Sequence, residues 1–363
     1  MHQPRPTIQL PEPYVMHRGG VLPEVHIAYE SWGKLNAERD NVILIFTGMS
    51  PDAHAASSPM CPRAGWWEFM IGPGKALDTD RYHVICVNSL GSCFGSTGPG
   101  SINPCSGQPY GPDFPILSIE DVACTAKLAL QQMGIERVHT IVGPSMGGMS
   151  ALAYALIYPD RVDNLVIISS AAQASAFAIA IRSLQREAVR SDPNWKGGWY
   201  YGETYPMAGM RLARKIGVLS YRSIAEFNQR FGRNKIDELR RMTMPVELEF
   251  EVESYLEHQA NKFSGSFDPN SYLVLSHSMD LFDVADYGKD LMDGFNPTQL
   301  ERALVIGVST DILFPEYQQQ QIADGLAQTG CQVQYHRSEC LEGHDAFLVP
   351  RSGFDEVIGD FLA

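Results

Sequence analysis

Between Val138 and Asp160 the chain reads VHTIVGPSMGGMSALAYALIYPD. A short apolar run passes through a glycine-rich turn directly into an apolar helical segment. An apolar run this continuous is stable as a strand only where both faces of its sheet are covered, which points to parallel strands with helices above and below. The same kind of run recurs at Asn41–Gly48, Tyr82–Asn88, Val162–Ser169, Ala303–Val308 and Gln332–His336. Helical patterns fall between them. LSIEDVACTAKLALQQMGI opens on a capping box, Ser118-Ile-Glu-Asp121, with aspartate in place of glutamate. Met149–Tyr158, Pro315–Ala327 and Phe354–Leu362 follow. Strand–helix alternation of this kind implies a doubly wound α/β core.

The alternation stops between about Gln173 and Thr298. SAFAIAIRSLQREAVR, MRLARKIGVLS and EFEVESYLEHQANKF read as helices, with no clear strand among them. The expected organisation is a core in two parts, 1–172 and 299–363, with residues 173–298 inserted as a helical cap. Its place is above the carboxyl ends of the strands, where open α/β sheets bind ligands.

The 363 residues carry a formal charge of −14 and no basic run, which argues against a nucleic-acid partner. No apolar run is long enough to span a membrane, and MHQPRPTIQLPEPYVM lacks the apolar core of a signal peptide. Seven cysteines, an odd number with no C-x-x-C pair, suit neither a disulfide framework nor structural zinc. Cys86 and Cys124, in apolar surroundings, read as core. These features read as a cytoplasmic protein with free thiols and no metal.

Within the opening stretch, Gly143-Pro-Ser-Met-Gly147 matches Gly-x-Ser-x-Gly. Strand before and helix after place Ser145 on a sharp turn, its hydroxyl at a helix N-terminus. The amide of Met146 then faces the position of an oxyanion. A nucleophilic serine on such a turn takes an Asp or Glu and then a His from later loops, in that chain order. ALVIGVSTDILFP delivers Asp311 and SECLEGHDAFL delivers His344. Among the ten histidines, His336 lies inside a strand run and His258 and His277 lie in the expected cap. His54, after an early strand, is the one rival and a candidate for lining the pocket. FTGMSPDAHAA follows the first clear strand, and the amide near Met49 is the candidate second oxyanion donor.

From about Tyr14 to the C-terminus the chain resembles the homoserine O-acyltransferase family of α/β-hydrolase-fold enzymes. The likeness is carried by GWWEFMIGPGKALDTDRYHVICVNSLGSCFGSTGPGSINP, YGPDFPILSIED, GPSMGGM, EFEVESYLEHQANKF, FDPNSYLVLS, TDILFP and GHDAF. TGMSPDAHAAS, VNSLGSC, AFAIAIRSLQREAVRSDPNW, ARKIGVLSYRS and TDILFPEYQQQQIADGL are closer to members that acylate L-serine than to those that acylate L-homoserine. Pro144 departs from the small or polar residue of relatives and stiffens the turn.

The resemblance implies an α/β-hydrolase fold with an inserted cap, and a serine O-succinyl- or O-acetyltransferase feeding cysteine biosynthesis. Its catalytic residues correspond to Ser145, Asp311 and His344, and its acceptor-binding residues to Arg214, Tyr221 and Asp345. Arg214 suits a carboxylate and Asp345 an ammonium. Acyl-CoA, succinyl-CoA or acetyl-CoA, is the implied cosubstrate, used in a ping-pong reaction. A succinyl carboxylate needs a cation at the end of its pocket, and Arg182 and Arg186 of the first cap helix are candidates. The likeness of the cap segments favours succinyl. A homoserine O-acyltransferase, a plain esterase or thioesterase and a non-catalytic binding protein are the alternatives. The family also implies a homodimer through the cap helices, with SAFAIAI as a candidate contact or as cap core.

Overall fold

The computed structural model describes residues 5–237 and 248–363. Eight strands form its central sheet: β1 (Thr7–Gln9), β2 (His26–Trp32), β3 (Val42–Phe46), β4 (His83–Val87), β5 (Val138–Pro144), β6 (Val162–Ile168), β7 (Arg302–Val308) and β8 (Gln332–Ser338). Their order across the sheet is β1-β2-β4-β3-β5-β6-β7-β8. From β4 to β8 all neighbours are parallel, whereas β2 runs antiparallel to both β1 and β4. The apolar runs of the sequence are the six strands β3 to β8, each within two residues of its expected bounds.

Alternation of side chains along each strand divides the core between the two faces. Val42, Leu44, Phe46, Ile141, Leu165 and Val305 join one cluster with α1 (Ile119–Gln132) and α2 (Met146–Ile157). Ile43, Ile45, Val142, Val166, Ile168 and Ile306 join another with Trp67, Met70 and the C-terminal helix Phe354–Leu362. Both faces are therefore covered, as parallel strands require. Helix α1 starts where the capping box places it: Asp121 N donates to Ser118 Oγ at 3.3 Å and Ser118 N to Asp121 Oδ2 at 2.9 Å.

The chain leaves the sheet after β6 and returns at β7, its direct neighbour, with Leu165 beside Ala303. Between them lie α3 (Ala176–Arg190), α4 (Met207–Tyr221), α5 (Ile224–Arg230), α6 (Glu251–Phe263) and α7 (Pro269–Leu281). Helix α3 packs on α4 and α7, and α4 packs on α6. Because the excursion starts at the carboxyl end of β6, it rises over the carboxyl ends of the parallel strands. Residues 238–247 of the expected cap lie outside the described residues. Helix α8 (Glu316–Gln328) links β7 to β8, and α9 (Phe354–Leu362) closes the chain. Among the described residues, no helix is long and apolar enough to cross a membrane.

Candidate active site

Ser145 joins β5 to α2 with φ 57° and ψ −124°, a conformation that residues other than glycine rarely hold. Tight packing fixes it. A Cβ on Gly143 would lie 2.2 Å from the Gly147 carbonyl oxygen, and one on Gly147 would lie 2.3 Å from that of Phe46. The strand and the helix thus approach at distances only glycine permits. Ser145 N donates to Ile168 O at 2.9 Å, and Ser170 Oγ donates to Ser145 O at 2.8 Å.

The strand ends bring two partners to that hydroxyl. His344, after β8, has Nε2 at 2.8 Å from Ser145 Oγ and Nδ1 at 2.8 Å from Asp311 Oδ2. Asp311, after β7, is held by its other oxygen, which accepts from Leu313 N at 2.8 Å and Phe314 N at 2.9 Å. Both side chains are buried, and the imidazole stacks on Phe314 at 5.0 Å. A serine hydroxyl facing an imidazole that a carboxylate orients can lose its proton as it attacks a carbonyl carbon.

The hydroxyl opens into a cavity of about 120 Å³ between the sheet and the cap. Met49, Arg182, Arg214, Tyr221 and Asp345 line it together with Ser145 and His344. Met49 follows Gly48, whose added Cβ would lie 3.9 Å from Ser145 Cβ. Met146 is the first residue of α2, so its amide is one of the first-turn donors that lack an intrahelical acceptor. Arg214 lies over the rings of Phe263 and Tyr221, at 4.6 and 5.7 Å from their centroids. Its Nε is buried and has no hydrogen-bond partner among the described residues. Burial pushes the Tyr221 hydroxyl up, while nearby Arg214 acts in the opposite sense. Burial also pushes the Asp345 carboxyl up, against the pull of Arg222.

Arg182 and Arg186 are not surface residues: both pair with Asp280 of α7, at 2.5 and 2.7 Å. Arg182 is buried, and its Nη2 has no hydrogen-bond partner among the described residues. His54 does not line this cavity. It is buried with Nδ1 at 2.7 Å from Glu30 Oε2 and Nε2 at 2.7 Å from Arg63 O, because Glu30 on β2 supplies a carboxylate behind the loop.

Residues 41–349 match the family model of the alpha/beta hydrolase fold. A serine O-succinyltransferase of Litchfieldella anticariensis is 52% identical over 100% of this chain and 99% of its own length. One from Stenotrophomonas maltophilia is 54% identical over 97% of this chain and 96% of its own length. Among solved structures, a homoserine O-acetyltransferase from Bacillus anthracis superposes with a TM-score of 0.89 at 30% identity, covering 99% of this chain and 98% of its own. Esterase E22 does so with the same TM-score of 0.89 at 29% identity, over 99% of both chains. The chain belongs to the homoserine/serine O-acyltransferase family of the α/β hydrolases.

In this acyltransferase, the sequence pattern left several site residues unseen. Asp280 holds two arginines from another helix, and Arg222 pairs with Asp345 at 3.0 Å across the junction of cap and core. Gln185 lines the cavity and donates to Ala213 O at 3.2 Å, tying α3 to α4. No spacing rule relates partners on different elements.

Proposed function

We propose that the enzyme transfers an acyl group from an acyl-CoA thioester to the hydroxyl of L-serine through an acyl-Ser145 intermediate. The observation that carries this is the joining, in one cavity, of Ser145 and His344 with Arg214 and Asp345, in a chain whose full-length relatives are named serine O-succinyltransferases.

In the first half-reaction His344 takes the proton of Ser145 as Oγ attacks the thioester carbonyl. The amides of Met49 and Met146 receive the oxyanion. A single such donor is worth about 100- to 1000-fold in rate. The intermediate collapses, the C–S bond breaks, and CoA leaves as its thiol, its sulfur having taken the proton from His344. In the second, the serine hydroxyl gives its proton to His344 and attacks the acyl-enzyme, and O-acylserine leaves as Oγ regains its proton. Arg214 holds the acceptor's carboxylate and Asp345 its ammonium. The buried Nη2 of Arg182, without a partner among the described residues, favours a succinyl carboxylate over an acetyl methyl at the far end. The product suits cysteine biosynthesis in the cytoplasm, because the acylated hydroxyl becomes a leaving group for a sulfur nucleophile.

The likeness to esterase E22 supports a second reading, hydrolysis of the acyl-enzyme. One set of assays separates the readings: succinyl-CoA or acetyl-CoA against L-serine or L-homoserine, following CoA release and product mass. The expected result is O-succinyl-L-serine as main product and an acyl-enzyme, detected by mass spectrometry, with succinyl-CoA alone. Steady CoA release without an acceptor would favour hydrolysis. Ser145→Ala is expected to abolish both acyl-enzyme and turnover, and near-normal turnover would refute the mechanism.

The cap also leaves Phe177, Leu184, Leu212, Leu219 and Ile224 more than half exposed. Phe177 belongs to SAFAIAI, in which Ala176, Phe177, Ile179 and Ala180 are exposed, Ile181 is half-buried and Ala178 is buried. We propose that this surface forms a homodimer, for which sedimentation equilibrium giving only a 40.2 kDa species would be the contrary result.

A further inference from the structure

Arg222 sits just beyond the end of α4 and outside the cavity, where it meets the loop that bears His344 and Asp345. The two segments touch through their backbones. Gly343 has φ 65°, and a Cβ there would lie 2.9 Å from Ser223 N and 3.0 Å from Tyr221 O. Ser223 Oγ donates to Leu341 O at 2.5 Å, which fastens the same junction. Across it, Arg222 Nε lies 3.0 Å from Asp345 Oδ2. The other end of the guanidinium is anchored: Nη1 donates to Glu226 Oε1 at 3.1 Å and Oε2 at 3.3 Å. Glu226 is itself fixed in the first turn of α5, its amide donating to Ser223 Oγ at 3.0 Å.

We propose that Arg222 is a positioning residue that holds Asp345 as an oriented carboxylate for the acceptor's ammonium, without touching the acceptor itself. This rests on the acceptor reading given above for Asp345. The ion pair engages Oδ2, and Asp345 also lines the cavity, so Oδ1 is the oxygen offered to the ammonium.

The charge balance explains why such a residue is needed. Asp345 is faced by Arg222 at the end of α4, by Arg214 and Tyr221 within α4, by His344 of its own loop and by Asp311 after β7. Burial is the largest influence on its carboxyl and favours the neutral form, Asp311 adds to that, and Arg222 is the largest influence opposing it. With Arg222 replaced by a neutral side chain, burial acts less opposed and the carboxyl takes up a proton at higher pH. A neutral carboxyl cannot serve as counter-ion to an ammonium. Acceptor capture should then fail at the acid end of the pH range and return as pH rises. Acylation of Ser145 by acyl-CoA, which involves no ammonium, should not change in this way.

The test is the pH dependence of the two half-reactions, measured separately with succinyl-CoA and L-serine in Arg222→Gln, Arg222→Lys and Asp345→Asn. For Arg222→Gln, kcat/KM for L-serine should acquire an acid limb displaced upward, by about tenfold in activity at a fixed acidic pH for each unit of displacement. Acyl-enzyme formation should keep the parent's profile. Lysine should restore most of the acceptor step. A fall in kcat/KM that is equal at every pH, or an equal fall in both half-reactions, would overturn the proposal in favour of a purely structural role. Asp345→Asn separates this proposal from the reading beneath it. If that variant uses serine normally, the acceptor assignment itself fails. If it loses serine while Arg222→Gln keeps the parent's profile, only the role of Arg222 fails. Should Arg222→Gln not fold, Glu226→Gln, which frees the far end of the guanidinium, should displace the same limb to a smaller extent, and an unchanged profile there would refute the proposal.

Discussion

Ser145, Asp311 and His344 are legible as a candidate set because a nucleophilic serine in this fold takes an acid and then a histidine in a fixed chain order. Each follows a strand that the sequence announces, and the sheet brings their side chains within 2.8 Å of one another in series. Arg182 and Arg186 were legible only as cations on a helix. Their pairing with Asp280 depends on how α3 meets α7, which no local pattern encodes. The pairing predicts distinct outcomes for the two sides of the cluster. Arg182→Gln should lower kcat/KM with succinyl-CoA relative to acetyl-CoA by about tenfold or more, the loss of a charged hydrogen bond of about 1.5–3 kcal/mol. An equal loss with both donors would remove Arg182 from acyl recognition. Asp280→Asn leaves the buried guanidinium of Arg182 and the half-buried one of Arg186 without their carboxylate and should cost about 3–5 kcal/mol, read as a lower urea midpoint. At the turn itself, Gly143→Ala forces a methyl to 2.2 Å from Gly147 O, and overpacking of this kind costs about 1–3 kcal/mol.

At the scale of elements, the parallel strands are legible and those at the antiparallel side are not. His26–Trp32 reads HIAYESW, with its exposed and half-buried positions interrupting the apolar run, so neither periodic signal stands out. Thr7–Gln9 is three residues long, too short to carry a period. Helix α7, PNSYLVLSHSMDL, buries Ser271, Ser276 and Ser278 as well as Tyr272 and Leu275. A helix covered on most sides by its neighbours loses the one-sided apolar stripe that identifies a surface helix. Helix α1 shows the opposite case, because its start is written in four residues. Ser118→Ala should cost about 1 kcal/mol, a typical loss for an N-cap side chain. Asp121→Ala should cost more, since Asp121 Oδ1 also accepts from Tyr14 O–H at 3.0 Å and His17 N at 2.7 Å. Equal urea midpoints for the two variants would show that the N-terminal segment gains nothing from that carboxylate.

Across the whole molecule, the sheet couples stability to pH through histidines placed where burial favours the neutral ring. His83 on β4, His139 on β5 and His336 on β8 all have their pKa values lowered, in each case chiefly by burial. His83 Nδ1 is moreover buried without a hydrogen-bond partner among the described residues, and burial outweighs the backbone contacts at Gly33 and Trp32 that favour the charged ring. The unfolded chain takes up protons on these rings near the ordinary value of about 6.5, and the folded chain does so only at lower pH. Their contribution to stability is therefore complete above that value and is lost as pH falls through it toward the lowered folded values. Asp345 works in the opposite sense. Its raised carboxyl binds a proton more tightly when folded, so its contribution declines as pH rises out of the ordinary carboxylate range. His277 of α7 is lowered by burial in the same sense, and four rings against one carboxyl, acting mostly in different pH windows, give a net loss on mild acidification. The urea midpoint should fall between pH 7.5 and 5.5, and His139→Gln should flatten that slope by removing one of the four sites. A midpoint independent of pH across this interval would mean that the folded protein protonates these rings as readily as the unfolded chain does, and burial would not then govern their titration.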